Sequence, residues 1–312
     1  MPALDELASA VLASPKNRWL CPDTVRRIGE RELAKGRGLK AAVKATKSRL
    51  HQIFGAFDRA PDYDRLLAEL GAGRSAAMPP LGEVLLPRAS APAGGYARGT
   101  LPRVKKPAGG AGASPVTGAL RSAGFEDAFR AACRSALACH ASTRERLPIL
   151  DRFYAEIFAI TGRPGRVLDL ACGLHPLGLP WMGLAPDATY TAYDIDARSI
   201  AFLNRFFAGA AINSRAILQD ILCQPPDEPA DVAFLLKTLP CLERQERGAS
   251  GRLLGTLRAR HVVVSFPVAS LGGRGKGMRE NYERDFTQMA KGAPWQIERL
   301  EFPTELVFVV KK

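Results

Sequence analysis

Apolar residues recur at helical spacing through the first 70 positions. Leu4, Leu7, Val11 and Leu12 share one face. Asp23 and Thr24 are placed to cap a second helix that carries Val25, Ile28 and Leu33. A third run, 39–56, sets Lys40, Lys44, Lys47 and Arg49 beside Val43, Leu50 and Ile53, which predicts an amphipathic helix with a basic face. Periodicity stops between 71 and 120. Ala, Gly, Pro and Ser dominate there and few apolar groups remain to pack, so the pattern predicts a flexible insertion or linker. Helical stripes return over 125–162, first through Phe125, Phe129, Ala132 and Leu137, then through Leu150, Phe153, Tyr154, Ile157 and Phe158. The polar break 140–146 separates them, and Ser142-x-x-Glu145 reads as a capping box.

From 166 onward, apolar runs of strand length alternate with helical ones. Strands are predicted at 167–171, 190–194, 216–219, 232–237, 261–266, 297–302 and 306–310. Helices fit between the first five. The last two lack room for one and should form an antiparallel hairpin at one edge. The expected fold is α/β: a Rossmann-like sheet of the class I methyltransferase layout, parallel strands plus a terminal antiparallel hairpin, behind an N-terminal helical domain. The expected divisions are 1–70 basic helical domain, 71–124 insertion or linker, 125–165 helical extension, and 166–312 sheet domain.

Composition changes this picture in one respect. Of 312 residues 46% are apolar, enough for a sizeable core, but the net charge is +13. The first 120 residues carry 19 Lys and Arg against 10 Asp and Glu, so the excess is concentrated there. A basic N-terminal portion points to a polyanionic partner, most often nucleic acid; an ordinary solvated basic face is the competing reading. The six cysteines, Cys21, Cys133, Cys139, Cys172, Cys223 and Cys241, form no C-x-x-C pair and no Cys/His set with zinc spacing. Reduced thiols, no metal and a cytoplasmic location are therefore expected. The opening MPALDELASA has two early acids and no apolar run of signal-peptide length, and no stretch of the sequence is long and apolar enough to span a membrane.

The segment 166–196, RVLDLACGLHPLGLPWMGLAPDATYTAYDID, carries the candidate chemistry. An apolar strand ends in a small-residue turn, Ala171-Cys172-Gly173, and a second strand ends in Asp194. Glycine lets backbone approach a ligand closely, and a carboxylate ending the second strand can accept both hydroxyls of a ribose. The phosphate-binding glycine fingerprint is missing, so an adenosine cofactor without pyrophosphate, such as S-adenosyl-L-methionine, fits better than a dinucleotide. A βα unit with no cofactor remains the alternative. Asp220, ending the third strand, is placed to accept from the exocyclic amine of adenine. Lys237, ending the fourth, could hold a phosphate or base edge or be a surface lysine. The loop 270–278, with four glycines, Arg274 and Lys276, suits phosphate gripping or is simply mobile. No nucleophile–base set is present, and His140, His175 and His261 read as structural or substrate-contacting. Methyl transfer to a nucleophilic ring nitrogen needs no strong base, only aligned approach in a dry pocket.

Together the runs HASTRERLPILDRFY, DLACGLHPLGLPWMGL, AYDIDAR, LLKTLPCLERQ and VVVSFPVASLGGRGKGM resemble the aminoglycoside-resistance 16S rRNA guanine-N(7) methyltransferases, and LCPDTVRRI and TKSRLHQIFGAF resemble their N-terminal domain. The resemblance spans nearly the whole chain except 71–120. It implies methylation of a decoding-site guanine of 16S rRNA in the assembled 30S subunit using S-adenosyl-L-methionine; a monomer is expected. The alternatives are action on a different rRNA base and a catalytically silent rRNA-binding factor. Carried onto matching positions, the resemblance implies a cofactor shell of Phe57, His140, Ala141, Ser142, Arg146, Ala171, Asp194, Asp220, Ile221, Leu236 and Gln245, with Arg146 pairing the methionine carboxylate, and the turn pattern adds Gly173. The resemblance puts Lys237, Glu243 and Arg274 near the RNA, and the cationic loop adds Lys276. His175 stands where the family pattern has asparagine.

Overall fold

The computed structural model describes residues 2–55, 60–72, 122–208, 213–268 and 277–312. The insertion predicted over 71–124 falls almost entirely outside them, as do Phe57, Arg274 and Lys276.

Three helices open the chain: α1 (Pro2–Leu12), α2 (Pro22–Leu33) and α3 (Leu39–Phe54). Their apolar stripes meet in a small core of Leu7, Val11, Val25, Ile28, Ala42, Leu50 and Ile53. Lys40 and Lys44 of α3 remain exposed on the opposite side. Helix α2 begins at Pro22, whose fixed φ suits the first helical turn, and Cys21 sits at the cap position with no side-chain cap bond. Asp23 and Thr24 thus lie inside the helix rather than capping it.

Helix α4 (Tyr63–Ala72) was expected among these N-terminal helices, but it packs elsewhere. Its Leu66, Leu67 and Leu70 join the sheet domain's core with α5 (Ser122–Leu137) and α7 (Leu150–Thr161). Between α5 and α7 a short helix α6 (Ala141–Arg144) replaces the predicted capping box. His140 is its cap residue, Ser142 is inside it, and Glu145 turns away to Lys237.

The seven-stranded sheet has the order β3-β2-β1-β4-β5-β7-β6. Its strands are β1 (Arg166–Leu170), β2 (Thr189–Asp194), β3 (Asn213–Leu218), β4 (Ala230–Leu236), β5 (Ala259–Pro267), β6 (Gln296–Glu301) and β7 (Glu305–Lys311). The first five are mutually parallel, as predicted. The hairpin refines the expectation: β7 inserts beside β5 and β6 takes the edge, so β7 alone opposes the other strands. Burial explains the order. Val262, Val263 and Val264 of β5 and residues 306–310 of β7 are buried on both faces, the mark of interior strands, whereas β6 is mostly exposed and charged, which discourages pairing at a free edge.

Alternate residues feed two cores. Val167, Tyr190, Phe234 and Val263 pack with α5, α7, α8 (Leu179–Met182) and α9 (Ala197–Ala208). Leu168, Leu170, Leu235 and Val264 pack with α10 (Leu239–Gln245), α11 (Ala249–Thr256) and α12 (Met278–Ala290). Strand order reverses between β1 and β4, which opens a crevice at the carboxyl ends of the strands. The N-terminal helices close over this crevice. Cys21 N–H donates to Ile195 O at 2.8 Å, and Ala197 N–H donates to Trp19 O at 2.8 Å, directly beyond β2. Among the described residues no helix is long and apolar enough to cross a membrane.

Candidate active site

The crevice holds a cavity of about 660 Å³, a size that suits a nucleoside-sized ligand. Both parts of the chain line it: Trp19, Leu20 and Thr24 from the N-terminal helices, and the ends of β1, β2, β3 and β4 from the sheet.

At the end of β1 the chain turns sharply. Ala171 has φ 53° and Gly173 has φ 52°, the left-handed region, and the alanine there is strained. Lys237, just past β4, has φ 57°. The two strained non-glycine residues thus flank the crevice, where such strain clusters when it serves a site. The turn is pinned by Asp194. Its Oδ2 accepts from Gly173 N–H at 2.8 Å, and its Oδ1 accepts from Ile195 N–H at 2.7 Å and Asp196 N–H at 3.1 Å. Oδ2 keeps capacity for a further donor. Burial pushes the Asp194 carboxyl up to about 6, against the pull of these backbone N–H groups.

Asp220 is in a different setting. It is 4% exposed. Oδ1 accepts from Leu222 N–H at 2.8 Å, and Oδ2 accepts from Arg27 of α2, Nη2 at 2.7 Å and Nε at 3.1 Å. The same Nη2 donates to Gln245 Oε1 at 2.7 Å. The residue expected to receive adenine is therefore already tied to the N-terminal helices, a partner 193 residues away that the strand-end pattern does not reveal.

The other end of the cavity is ionic. Arg146 is 3% exposed and Glu305, opening β7, is fully buried. Arg146 Nη2 donates to Glu305 Oε2 at 2.9 Å and Nε lies 2.9 Å from Oε1, with the guanidinium 4.7 Å over the Phe153 ring. Burial alone would push Glu305 up, but the charges of Arg146 and Lys237 outweigh it and hold the carboxyl below its ordinary range. Arg146 lines the cavity at this ionic end. Lys237 lines the same wall with its ammonium fully engaged: Nζ donates to Glu145 Oε2 at 2.6 Å and to Ser142 O at 3.0 Å, and lies 3.3 Å from Glu305 Oε1. It braces β4 against the 140–146 segment and is not a free cation for phosphate. His140, whose Nδ1 lies 2.9 Å from Ser142 Oγ, is driven down by burial and by the charges of Lys237 and Arg144, and so is neutral at pH 7.

Beneath the turn, Asp169 accepts from Tyr190 Oη at 2.7 Å and pairs with His175 Nδ1 at 2.9 Å, all three buried. His175 forms the pocket floor with its ring edge-on to Phe234.

Of the predicted cofactor shell, His140, Ala141, Ser142, Arg146, Ala171, Gly173, Asp194, Asp220, Ile221, Leu236 and Gln245 all line this one cavity. Glu243 does not. Its Oε2 accepts from Gly248 N–H at 2.7 Å and Oε1 from Ser250 N–H at 2.8 Å, so this exposed residue caps α11 from outside the cavity. Arg27 and Glu305 were missed by sequence reasoning. Arg27 lies in an Arg-Arg pair that reads as a basic surface, and Glu305 sits at a hairpin turn where acids are ordinarily solvated.

The ribosomal RNA methyltransferase (FmrO) family model matches residues 105–309. The chain belongs to this family. The family likeness extends past the model's limits. The chain is 37% identical over 312 residues to the 16S rRNA (guanine(1405)-N(7))-methyltransferase of Micromonospora echinospora, covering 99% of this chain and 97% of the relative. It is 34% identical to the enzyme of the same name from Serratia marcescens, covering 99% and 98%. Among solved structures, the 16S rRNA methyltransferase RmtF in complex with S-adenosyl-L-homocysteine is similar, with a TM-score of 0.69, 30% identity, and coverage of 100% of this chain and 99% of that one.

Proposed function

We propose that the chain is a 16S rRNA (guanine(1405)-N(7))-methyltransferase that uses S-adenosyl-L-methionine and confers aminoglycoside resistance. The observation that carries this reading is full-length similarity to enzymes of that activity at up to 37% identity, with the cavity residues gathered at the sheet's carboxyl edge.

The donor supplies a methyl group to the guanine N7 lone pair as the carbon–sulfur bond breaks, which leaves S-adenosyl-L-homocysteine. The chain's own residues bind and orient. Asp194 accepts the ribose hydroxyls with the capacity left on its carboxylate. Asp220, Ile221 and Gln245 bound the adenine. Arg146 would pair with the methionine carboxylate, and the Ala171–Gly173 turn would let backbone approach the bound donor. No residue is required to remove a proton, since N7 carries none, and the neutral His140 and the engaged Lys237 are consistent with that. Catalysis rests on alignment and exclusion of water. The target guanine must leave its stack to reach the crevice, and the exposed Lys40 and Lys44 face of α3 is the side we assign to RNA phosphates.

The test is incubation of purified 30S subunits with the protein and labelled donor, followed by mass spectrometry of the 16S rRNA digest. The expected product is one 7-methylguanosine at position 1405. A modified adenosine or another guanine would replace this reading with a different rRNA methyltransferase, and no label with intact subunits would replace it with a silent RNA-binding factor.

A further inference from the structure

We infer that helix α2 of the N-terminal helices completes the adenine pocket: Thr24 contacts the purine, and Arg27 is a positioning residue that holds Asp220 and Gln245 at the spacing the purine requires. The inference rests on the donor-binding reading above and deepens it.

Two observations carry it independently. Thr24 is 0% exposed, lines the cavity, and its Oγ1 has no hydrogen-bond partner among the described residues. A buried helical threonine ordinarily satisfies its hydroxyl on the carbonyl four residues back. Thr46 of α3, equally buried, does so, donating to Ala42 O at 2.8 Å. Thr24 does not, and a buried hydroxyl without a partner is costly enough that a ligand atom is its natural complement. The second observation lies one turn along the same face. Arg27 joins Asp220 to Gln245 through a single nitrogen, 2.7 Å from each acceptor, and also interacts with the Cys223 thiol beside them. Asp220 and Gln245 come from different elements, the β3 end and α10, and both line the cavity. Arg27 itself does not line it, so its influence on a ligand passes through those two side chains.

Purine identity should therefore depend on α2. S-adenosyl-L-homocysteine presents a 6-amino donor to the Asp220 carboxylate. S-inosylhomocysteine presents a 6-oxo acceptor there and is disfavoured. Titration calorimetry of the full chain with both ligands, alongside thermal denaturation, reads this directly. The wild type should prefer the amino ligand by about tenfold or more, because a site built for a donor rejects the analogue that lacks it. Thr24→Val should weaken the amino ligand about tenfold, and Thr24→Ser should restore it. Arg27→Met should weaken the amino ligand about thirtyfold while the 6-oxo ligand changes little, so that the preference falls toward unity; Arg27→Lys, which keeps charge without the fork, should recover part of it. Wild-type affinities and preference in both Thr24→Val and Arg27→Met overturn the inference. So does an equal loss of both ligands in step with a lowered Tm, which marks a merely structural role. A wild type that binds neither ligand overturns the donor reading itself, a distinguishable result.

Discussion

Asp194 and Asp220 close neighbouring parallel strands, and in the sequence each is an acid ending an apolar run. Their surroundings have little in common. Asp194 is held by three N–H groups of its own strand-end loops and has acceptor capacity to spare. Asp220 is held by a guanidinium from the far N-terminal helices. One belongs to a βαβ unit that could bind a nucleoside by itself. The other makes that binding depend on where the N-terminal helices sit. Under the proposed donor binding, the sheet supplies the ribose end of the pocket on local grounds, and the adenine end only as part of the whole chain.

Removing Asp194 should give the largest effect on ligand binding. Asp194→Ala deletes the ribose acceptor and the anchor of the Gly173 turn, so affinity for S-adenosyl-L-homocysteine should fall at least about a hundredfold, or about 3 kcal/mol. Calorimetry checks the affinity, and far-UV circular dichroism should show the fold retained. Asp220→Ala acts first on stability. It leaves the Arg27 guanidinium, 12% exposed, without its counter-charge, at a cost of about 3 kcal/mol. Urea denaturation should show that loss, larger than the loss from Asp194→Ala.

That difference also marks what was legible from residues alone. Apolar runs marked all seven strand starts to within three residues; β1, β2, β4, β5 and β7 are buried on both faces and read as apolar blocks, and β3, exposed along much of its length, is the one displaced by three. The turn at Ala171–Gly173 and the acid at 194 are local, so their pattern was visible and they line one cavity as expected. The Arg27–Asp220 and Arg146–Glu305 pairs join residues 193 and 159 positions apart, and no periodicity encodes such a meeting. Lys237, placed beside RNA by the strand-end pattern, and Glu243, placed there by the family resemblance, both hold partners within the protein that neither pattern states. The placement of β7 between β5 and β6 was likewise undetermined, since a hairpin pattern does not state which strand faces the sheet.

Acidity separates the two carboxylates further. With Asp194 pushed up to about 6, protons compete with ribose hydroxyls for its ionised form. Donor affinity should therefore be nearly level above pH 7 and fall about tenfold between pH 7 and pH 5. The sign for folding is the reverse. The folded carboxyl titrates above the unfolded value of about 3.9, so the Asp194 contribution to stability of the free protein rises as pH falls from 6 toward 4. Calorimetry across pH 5 to 8 checks the first, and denaturation midpoints from pH 4 to 7 check the second.

The smallest effect concerns the outer face of the N-terminal helices. Lys40→Glu with Lys44→Glu leaves the Asp220 contact untouched and should not change donor affinity. It should lower the salt dependence of binding to 30S subunits, by about two in the log–log slope if both lysines face phosphates. Filter binding between low and moderate salt measures it.

The central claim is that one methyl donor lies across the sheet's carboxyl edge between these two acids. A crystal structure of the full chain with S-adenosyl-L-homocysteine tests it most directly. The predicted result is the ribose hydroxyls on Asp194, the purine between Ile221 and Gln245, and the Arg27–Asp220 pair intact. A ligand bound elsewhere, or an Asp194 carboxylate turned wholly toward its backbone partners with the cavity closed by side chains, would contradict it.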